Sequence, residues 1–255
     1  MANIIDKFCD RTPESIANLR NSMITLIYKT LELTTRFYNP SIELNNRLKR
    51  CVYHRFLLGL LDTKKMFSGK GKPAPEYSFI TFNYDLALDQ ALFLHQAKID
   101  YCLSDKIQEG CFPLLKLHGS MNWGTCQECG RTIPIEFNHM SPITLGREDF
   151  RLYDIGSELD EHRCPSCDKP LKEPPVLVPP TWNKTKYNGA LSNVWKKAAQ
   201  ELATAENIFV IGYSLPETDS FFRYLFALGT ESDLSPEKDT SQNVSMVVWM
   251  RPERG

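Results

Sequence analysis

Four of the cysteines form two Cys-x-x-Cys pairs, Cys126 with Cys129 and Cys164 with Cys167. Both thiolates of such a pair can face one metal ion, and the glycine or aspartate that follows the second cysteine suits the tight turn of a zinc knuckle. Four thiolates leave no coordination position open for water, so this spacing predicts one structural Zn²⁺ rather than a catalytic metal. Four free cysteines are the alternative.

The residues around these pairs exclude two other chemistries. No His-x-Glu motif precedes Cys164, as a zinc deaminase would require, and no histidine follows either pair, as haem attachment would require. The remaining cysteines are scattered along the chain and are predicted to be small buried hydrophobic residues. They are Cys9, Cys51, Cys102 and Cys111.

A histidine ends the apolar run that precedes the cysteines. The stretch Pro113–Trp123 begins with a run of the length of a buried strand and continues with His118, Gly119 and Ser120. Ligands of open α/β sheets bind beyond the carboxyl ends of the strands, so His118 is a candidate site residue. The alternative is a core histidine whose ring nitrogens are satisfied by backbone groups.

A second strand end contains Asn83 and Asp85. The segment Tyr77–Asp85 is rich in β-branched and aromatic residues and leads directly into a helical pattern, which Asp85 can cap. Both polar residues are therefore predicted at a strand-to-helix corner, again at the edge of the sheet where ligands bind. For Asn83 the alternative is a turn residue with no further function.

The surrounding pattern predicts the elements that hold these residues. Helices are predicted from Thr12–Pro13 to about Leu31, from about Ser41 to Leu61, after Asp85, over Gly189–Ala205 and from Pro216 to about Leu228. Further strands are predicted at Pro174–Pro180, Asn207–Ser214 and Val244–Met250, and a loop is predicted at Ser68–Glu76. Of these strands, Asn207–Ser214 has the clearest pattern of a buried strand.

This alternation of strands and helices predicts an α/β fold with a Rossmann-like parallel sheet covered by helices. Residues 124–174 differ in composition, being rich in polar residues, glycine and proline, and are predicted to form an inserted zinc-ribbon module. The predicted domains are a Rossmann-like domain of residues 1–123 and 175–255, and a zinc-binding module of residues 124–174.

The composition is that of a globular protein with a proper core. The chain has 255 residues, of which 42% are hydrophobic and 24% charged, and its formal net charge is -1. This charge argues against binding nucleic acid by bulk electrostatics and favours a small substrate. No apolar run approaches the roughly 20 residues of a membrane span, and the N-terminus contains acids where a signal peptide is basic, so a cytoplasmic protein is expected.

Four segments, in this order, resemble the sirtuin family. Residues 81–85 (Thr-Phe-Asn-Tyr-Asp) resemble the sirtuin Thr-Gln-Asn-Ile-Asp motif, and residues 117–120 (Leu-His-Gly-Ser) resemble its catalytic His-Gly segment. The four paired cysteines follow where sirtuins keep structural zinc, and residues 210–215 resemble the Gly-Thr-Ser segment that contacts the nucleotide. These variant forms are more similar to bacterial sirtuin-like proteins, many of them antiphage NAD⁺ hydrolases, than to the protein deacetylases.

The resemblance implies an NAD⁺-binding domain of Rossmann type and a role for each matched residue. Asn83 would orient ribose or water, His118 would act as the base, and Asp85 would hold the nicotinamide carboxamide. Cleavage of the nicotinamide glycosidic bond passes through an oxocarbenium-like ribose. An enzyme for this reaction needs a group that orients the ribose or the water, and a base of near-neutral pKa. The implied cofactor-binding residues are Thr81, Asn83, Asp85, Gly212 and Ser214.

The chain departs from sirtuins before residue 77. Nothing there resembles the opening strand and the Gly-Ala-Gly-x-Ser phosphate loop, so the first βα unit is expected to be missing. Without the amides of that loop, pyrophosphate binding would lose a principal anchor. Phe82 stands where deacetylases have glutamine, and residues 247–252 only loosely resemble the segment that contacts adenosine.

The function implied by the resemblance is hydrolysis of NAD⁺ to nicotinamide and ADP-ribose, in antiphage defence. The alternatives are an NAD-dependent protein deacylase that uses the same site, a non-catalytic sirtuin-like interaction module, and a remnant without stable function. The expected partners are NAD⁺ and either further copies of the chain or a fused or associated effector subunit. Neither a membrane nor nucleic acid is expected as a partner.

Overall fold

A computed structural model gives the architecture of most of the chain. It describes residues 13–35, 37–38, 52–68, 76–106, 108–144, 150–179, 188–205, 207–211, 227 and 244–249. Gly212 and Ser214 lie outside the described residues. So do Thr12, the first part of the helix predicted from Ser41, and the helix predicted from Pro216 apart from residue 227.

The described elements alternate between helices and strands. The helices are α1 (Pro13–Thr34), α2 (Val52–Ser68), α3 (Ala87–Leu94), α4 (Ile155–Glu161) and α5 (Asn188–Thr204). The strands are β1 (Phe37–Tyr38), β2 (Glu76–Thr81), β3 (Ile99–Asp100), β4 (Phe112–Lys116), β5 (Trp123–Cys126), β6 (Thr132–Pro134), β7 (Ile143–Thr144), β8 (Phe150–Leu152), β9 (Leu171–Lys172), β10 (Asn207–Ile211) and β11 (Val244–Trp249). None of the helices in these ranges is long and apolar enough to span a membrane.

Five strands form one parallel sheet in the order β10-β11-β2-β4-β3. The prediction of a parallel α/β sheet is therefore confirmed, and the predicted strand at Val244–Met250 is β11. Strands β2 and β4 lie side by side inside the sheet and are buried on both faces, as expected for a parallel sheet covered by helices. Phe79, Ile80, Leu114 and Leu115 are each no more than 1% exposed.

Helix α5 covers the sheet with one apolar face. Its buried residues Leu191, Val194, Ala198 and Leu202 recur at helical spacing, as the sequence predicts. Together with α2, α3 and the sheet, this face forms the first hydrophobic core. The helix after Asp85 is confirmed as α3, and α2 extends to Ser68, beyond its predicted end at Leu61.

A second hydrophobic core contains two of the paired cysteines, Cys126 and Cys164, with Cys167 partly buried against it. It is built on two small antiparallel sheets, in the orders β6-β5-β9 and β1-β8-β7. Ile24 and Tyr28 from α1 and Phe37 from β1 are buried in the same core. The N-terminal helix thus packs with the residues around the cysteines. The division of the chain into two domains stays a prediction.

Two strand predictions need correction. Pro174–Pro180 is not a strand of the main sheet, since its described part forms only an isolated antiparallel bridge, Gly119 with Leu177. The segment has the apolar composition of a strand, but its prolines limit ladder hydrogen bonds. Asn207–Ser214 has the clearest sequence pattern of a buried strand, yet β10 is at the edge of the described sheet, and Phe209 is 52% and Val210 39% exposed. Strand β3 was not predicted.

Candidate functional site

Two loops lie side by side at the carboxyl edge of the parallel sheet. Strands β2 and β4 are neighbours in register, with Thr81 opposite Lys116, so the segments that follow them leave the sheet at the same edge. The N–H of Leu117 donates to the carbonyl oxygen of Thr81 (2.9 Å), and the N–H of Met121 donates to that of Tyr84 (3.1 Å). These bonds fasten the corner after β2 to the loop after β4. We call this corner the Asn83 corner (residues 82–86) and this loop the His118 loop (residues 117–122).

Asn83 is half-buried and held from two sides. Its N–H donates to Thr81 Oγ1 (3.1 Å), and its side-chain Nδ2 donates to the hydroxyl of Tyr53 on α2 (3.2 Å). Because Nδ2 donates to Tyr53, a residue on another helix sets the orientation of the Asn83 amide. No sequence pattern links Tyr53 to this corner, and only the packing of α2 brings it there.

Asp85 lies where the chain enters α3. Its Oδ1 accepts a hydrogen bond from the N–H of Ala87 (3.0 Å), the first residue of the helix, although Leu86 occupies the capping position. Burial raises the pKa of the Asp85 carboxyl above its usual value, and the Lys116 ammonium opposes that rise. The prediction that Asp85 caps this helix is therefore wrong in its position, since Asp85 bonds the N–H two residues ahead from outside the capping position.

His118 is 9% exposed and packs against aromatic rings of the Asn83 corner. The centre of its imidazole lies 4.6 Å from that of Phe82, in an edge-to-face arrangement, and 6.1 Å from that of Tyr84. Tyr84 is itself fixed, since its hydroxyl donates to the carbonyl oxygen of Val178 (2.6 Å). The imidazole of the candidate base is thus shielded by residues of the same corner that contains Asn83 and Asp85.

The backbone of the His118 loop is fixed by residues that follow the second cysteine pair. The N–H of Ser120 donates to the carbonyl oxygen of Val176 (3.0 Å), and the N–H of Val178 donates to that of His118 (2.8 Å). Gly119 has a φ of +85°, and a Cβ added to it would lie 1.9 Å from the Val176 carbonyl oxygen. The loop therefore requires glycine at this position both for its conformation and for the close approach of another backbone.

A buried polar network lies beneath the two loops. The ammonium of Lys116 pairs with Asp89 (2.9 Å) and also donates to the carbonyl oxygen of Asp85 (2.6 Å). Tyr101 donates its hydroxyl to Asp89 (2.6 Å) and accepts from Asn122 Nδ2 (3.0 Å). The apolar pattern does not predict this network, because Lys116 stands within an apolar run that has the pattern of a buried strand. A lysine in the middle of such a run was the available signal.

The four cysteines of the two pairs come together in space. Their Sγ atoms all lie within 4.8 Å of one another, with Cys126 and Cys167 at 3.4 Å and Cys129 and Cys164 at 3.7 Å. Sulfur atoms at the corners of a tetrahedron with zinc–sulfur bonds of about 2.3 Å would be roughly 3.8 Å apart. The donor set and its spacing fit one Zn²⁺ ion.

Each pair sits in a tight turn that ends in a left-handed residue. The N–H of Gly130 donates to the carbonyl oxygen of Cys126, and that of Asp168 donates to the carbonyl oxygen of Cys164. Gly130 has a φ of +66° and Asp168 a φ of +55°, so the turn residues predicted from the sequence are confirmed. Asparagine and aspartate tolerate this conformation better than other residues with a side chain.

The guanidinium of Arg131 lies next to Cys129, the exposed cysteine of the four. Arg131 Nε donates to Cys129 Sγ at 3.3 Å, and this hydrogen bond lowers the pKa of the thiol to about 6. Metal binding requires the thiolate form, so the neighbouring guanidinium favours the charge state that a metal ligand needs.

Comparison with known proteins gives matches among solved structures alone. No protein-family model matches the chain, and no curated protein matches it. A point mutant of a Sir2 homologue bound to ADP-ribose is 14% identical, with 83% of this chain and 66% of that chain covered and a TM-score of 0.29. Sir2 with a p53 peptide and NAD⁺ is 13% identical, with 89% and 78% covered and a TM-score of 0.30.

A Sir2 homologue in complex with NAD is similar at the same level, with 16% identity, 82% and 69% of the two chains covered and a TM-score of 0.28. The chain spans about two thirds of the length of the first of these structures. A TM-score near 0.3 is too low to assign a role to any residue of this chain. The roles of its residues therefore depend on its own geometry.

Proposed function

We propose that this chain binds NAD⁺ at the edge formed by the Asn83 corner and the His118 loop, and hydrolyses it to nicotinamide and ADP-ribose. The observation that supports this proposal most directly is the fastening of the two loops to each other at the carboxyl ends of neighbouring parallel strands. Ligands of parallel α/β sheets bind at that edge. The same two loops contain the motifs that resemble those of sirtuins.

In the proposed reaction, water adds to C1′ of the nicotinamide ribose. The bond from C1′ to the nicotinamide nitrogen breaks, and its electron pair leaves with nicotinamide. Asn83 would orient the ribose or the water, and His118 would accept the proton that the water loses. Asp85 would hold the carboxamide. The remaining proposed contacts to NAD⁺ are Thr81, Gly212 and Ser214.

A structural Zn²⁺ on the four paired cysteines is the second part of the proposal. With four thiolate ligands the ion would have no open position, so it would stabilise the second core and take no part in the reaction. The residues proposed to hold it are Cys126, Cys129, Cys164 and Cys167.

The test is NAD⁺ loss together with nicotinamide release, measured for the zinc-loaded chain. His118→Ala and Asn83→Ala should each lower the rate by about a hundredfold or more, as removal of a base or an orienting group typically does. His139→Ala is the matched control, because His139 is exposed and lies outside both loops. No NAD⁺ loss from a folded wild-type chain, or full activity in both variants, would overturn the proposal.

A deacylase would use the same site but would need an acylated lysine peptide as co-substrate. We therefore expect NAD⁺ loss without any peptide, with ADP-ribose as the product. Loss of NAD⁺ only when an acyl-lysine peptide is present, together with release of the free lysine, would replace hydrolysis by deacylation.

The resemblance to defence-type sirtuin-like proteins also leads us to propose a role in resistance to phage. Cells that produce the wild-type chain should yield fewer plaques and lose NAD⁺ on infection, whereas cells with His118→Ala should do neither. Equal plaque counts for the two would contradict the defence role and leave the enzymatic proposal intact.

A further inference from the structure

A lysine and an aspartate are paired in the interior, directly beneath the proposed NAD⁺ edge. The side chains of Lys116 on β4 and Asp89 on α3 are each 1% exposed, and the ammonium nitrogen lies 2.9 Å from the carboxylate oxygen. Removing two charges from water can cost more than their attraction returns, and well-packed apolar residues are often as stable. Fold stability is therefore a poor explanation of this pair.

One end of the pair holds the Asn83 corner. Besides the carboxylate, Lys116 Nζ donates to the backbone carbonyl oxygen of Asp85 at 2.6 Å. A hydrogen bond from a charged donor in a buried setting is stronger and shorter than one between neutral groups. The peptide that carries the proposed carboxamide-binding residue is thus fixed from the interior side.

The other end of the pair reaches the His118 loop. Asp89 Oδ1 accepts from the Tyr101 hydroxyl, which accepts from Asn122 Nδ2, and Asn122 Oδ1 accepts from the Ser120 hydroxyl (2.6 Å). Ser120, Asn122 and Asp89 are all buried. A continuous chain of hydrogen bonds therefore joins the loop after β4 to the corner after β2.

We propose that Lys116 and Asp89 are positioning residues for the proposed hydrolase, and that they hold the Asp85 peptide and the Ser120–Asn122 segment in one fixed relation without touching the substrate. This inference rests on the proposed function. Fixing both loops before NAD⁺ arrives avoids reorganisation during bond cleavage, so the pair should affect the rate of the reaction more than the binding of NAD⁺.

Single variants cannot separate this role from a structural one, because each leaves an unpaired charge in the interior. The test is the double variant Lys116→Met/Asp89→Asn, which removes both charges and keeps an acceptor for Tyr101. The matched control is Ser78→Ala, which removes a buried hydrogen bond to Glu201 near the beginning of β2, away from the carboxyl edge. Both variants are first compared with the wild type by thermal unfolding.

For the double variant we expect kcat to fall about tenfold or more, while the dissociation constant for NAD⁺, measured by calorimetry, stays within about threefold. Ser78→Ala should keep the wild-type kcat at temperatures well below its unfolding transition. A double variant with wild-type kcat would overturn the positioning role.

A second readout does not depend on activity. Amide hydrogen exchange at residues 85–87 and 120–123 should be faster in the double variant and unchanged in Ser78→Ala. Unchanged exchange at both loops in the double variant would overturn the inference, even if the wild-type chain proved inactive. Faster exchange in an inactive chain would instead mean that the proposed function had failed while the coupling of the two loops was correct.

Discussion

Gly119 shows how strongly one position of the His118 loop is constrained. Its φ of +85° costs an L-residue about 1–2 kcal/mol, and the Val176 carbonyl oxygen occupies the place that a Cβ would take. Gly119→Ala should therefore destabilise the chain and displace the loop. Gly110→Ala is the control, since Gly110 has a φ of +74° but no atom within 4 Å of its Cβ position.

We expect urea unfolding to show a free energy of unfolding lower by about 1–2 kcal/mol for Gly110→Ala and lower by at least about 2 kcal/mol more for Gly119→Ala. The difference between the two variants measures the clash with Val176. Equal losses in the two variants would show that the segment 176–178 yields to the added methyl group.

The hydrogen bond between Tyr53 and Asn83 leads to a prediction for the proposed activity. Its hydroxyl accepts from Asn83 Nδ2 at 3.2 Å, so Tyr53→Phe removes one restraint on the orienting amide and leaves the ring in place. A neutral hydrogen bond contributes about 0.5–1.5 kcal/mol, which corresponds to a rate of NAD⁺ loss lower by about two- to thirteenfold. Tyr77→Phe, on the buried strand β2, is the control and should keep the wild-type rate. An unchanged rate in Tyr53→Phe would show that Asn83 is oriented without it.

The sequence was sufficient to predict where Asn83, Asp85 and His118 lie, because each follows a strand whose apolar pattern is local. Tyr53 and Lys116 could not be found in the same way. Tyr53 reaches Asn83 only through the packing of α2. Lys116 is charged within an apolar run, and its partner Asp89 lies on a different element. Contacts between distant elements depend on the fold and leave no periodicity in the chain.

At the scale of elements, α2 and the end of α3 meet through two histidines. The rings of His54 and His95 stack with their centres 4.6 Å apart, and His54 is 9% exposed. Burial, and after it the neighbouring His95, lower the pKa of His54 below its usual value of 6.5. A base whose pKa is lowered by folding contributes full stability above its unfolded pKa and loses it progressively as the pH falls from that value through the lower folded pKa.

We therefore expect protonation of His54 to lower the melting temperature of the wild-type chain between pH 7.5 and pH 5.5. His54→Phe keeps an aromatic ring in the stack but cannot bind a proton, so its melting temperature should change less between the two pH values. His139→Gln, at an exposed histidine, should show the wild-type change. If the melting temperature of His54→Phe fell as much as that of the wild type between pH 7.5 and pH 5.5, protonation of His54 would not weaken the packing of α2 on α3.

The helices were predicted better than the segments between them. Helical spacing of apolar residues is a local property, and α1 and α5 begin and end close to their predicted bounds. Helix α3 begins two residues after Asp85, as predicted. Pro174–Pro180 has the composition of a strand. Its described part does not join the sheet and instead forms single backbone hydrogen bonds with the His118 loop. Composition indicates that a segment is buried, and not which partner it meets.

At the scale of the whole molecule, the N-terminal helix belongs to the core that contains the cysteines. Lys29 bridges Glu32 and Asp154, at 2.8 and 3.3 Å, and Glu32 accepts from the N–H of Ile155, so α1 is tied to the beginning of α4. Asp154 also caps α4 through the N–H of Ser157. The segment that continues from this core, Val176–Val178, fixes the His118 loop. The proposed metal site and the proposed NAD⁺ edge are therefore connected through backbone hydrogen bonds.

This arrangement predicts that metal removal loosens a helix far away in sequence. The purified chain should contain one Zn²⁺, and a structural zinc of this kind contributes free energy of the order of 10 kcal/mol in small zinc domains. Without it, Cys126 and Cys164 lose their common partner, and the core that buries Ile24 and Tyr28 loses its support. Chelation should lower the melting temperature and speed amide hydrogen exchange in α1 (Pro13–Thr34) as well as in both cysteine turns.

Two cysteine variants separate the metal from other effects of chelation. Cys129→Ser should lose the zinc and show the faster exchange in α1 without chelator, whereas Cys111→Ser, at a cysteine outside the cluster, should keep one zinc and the wild-type exchange. Strands β2 and β4 belong to the first core, so their exchange should change less than that of α1. A zinc-free chain with unchanged hydrogen exchange in α1 would contradict this prediction. It would mean that Lys29, Glu32 and the apolar contacts of α1 hold the helix without the metal, and that the four thiolates stabilise only their own turns.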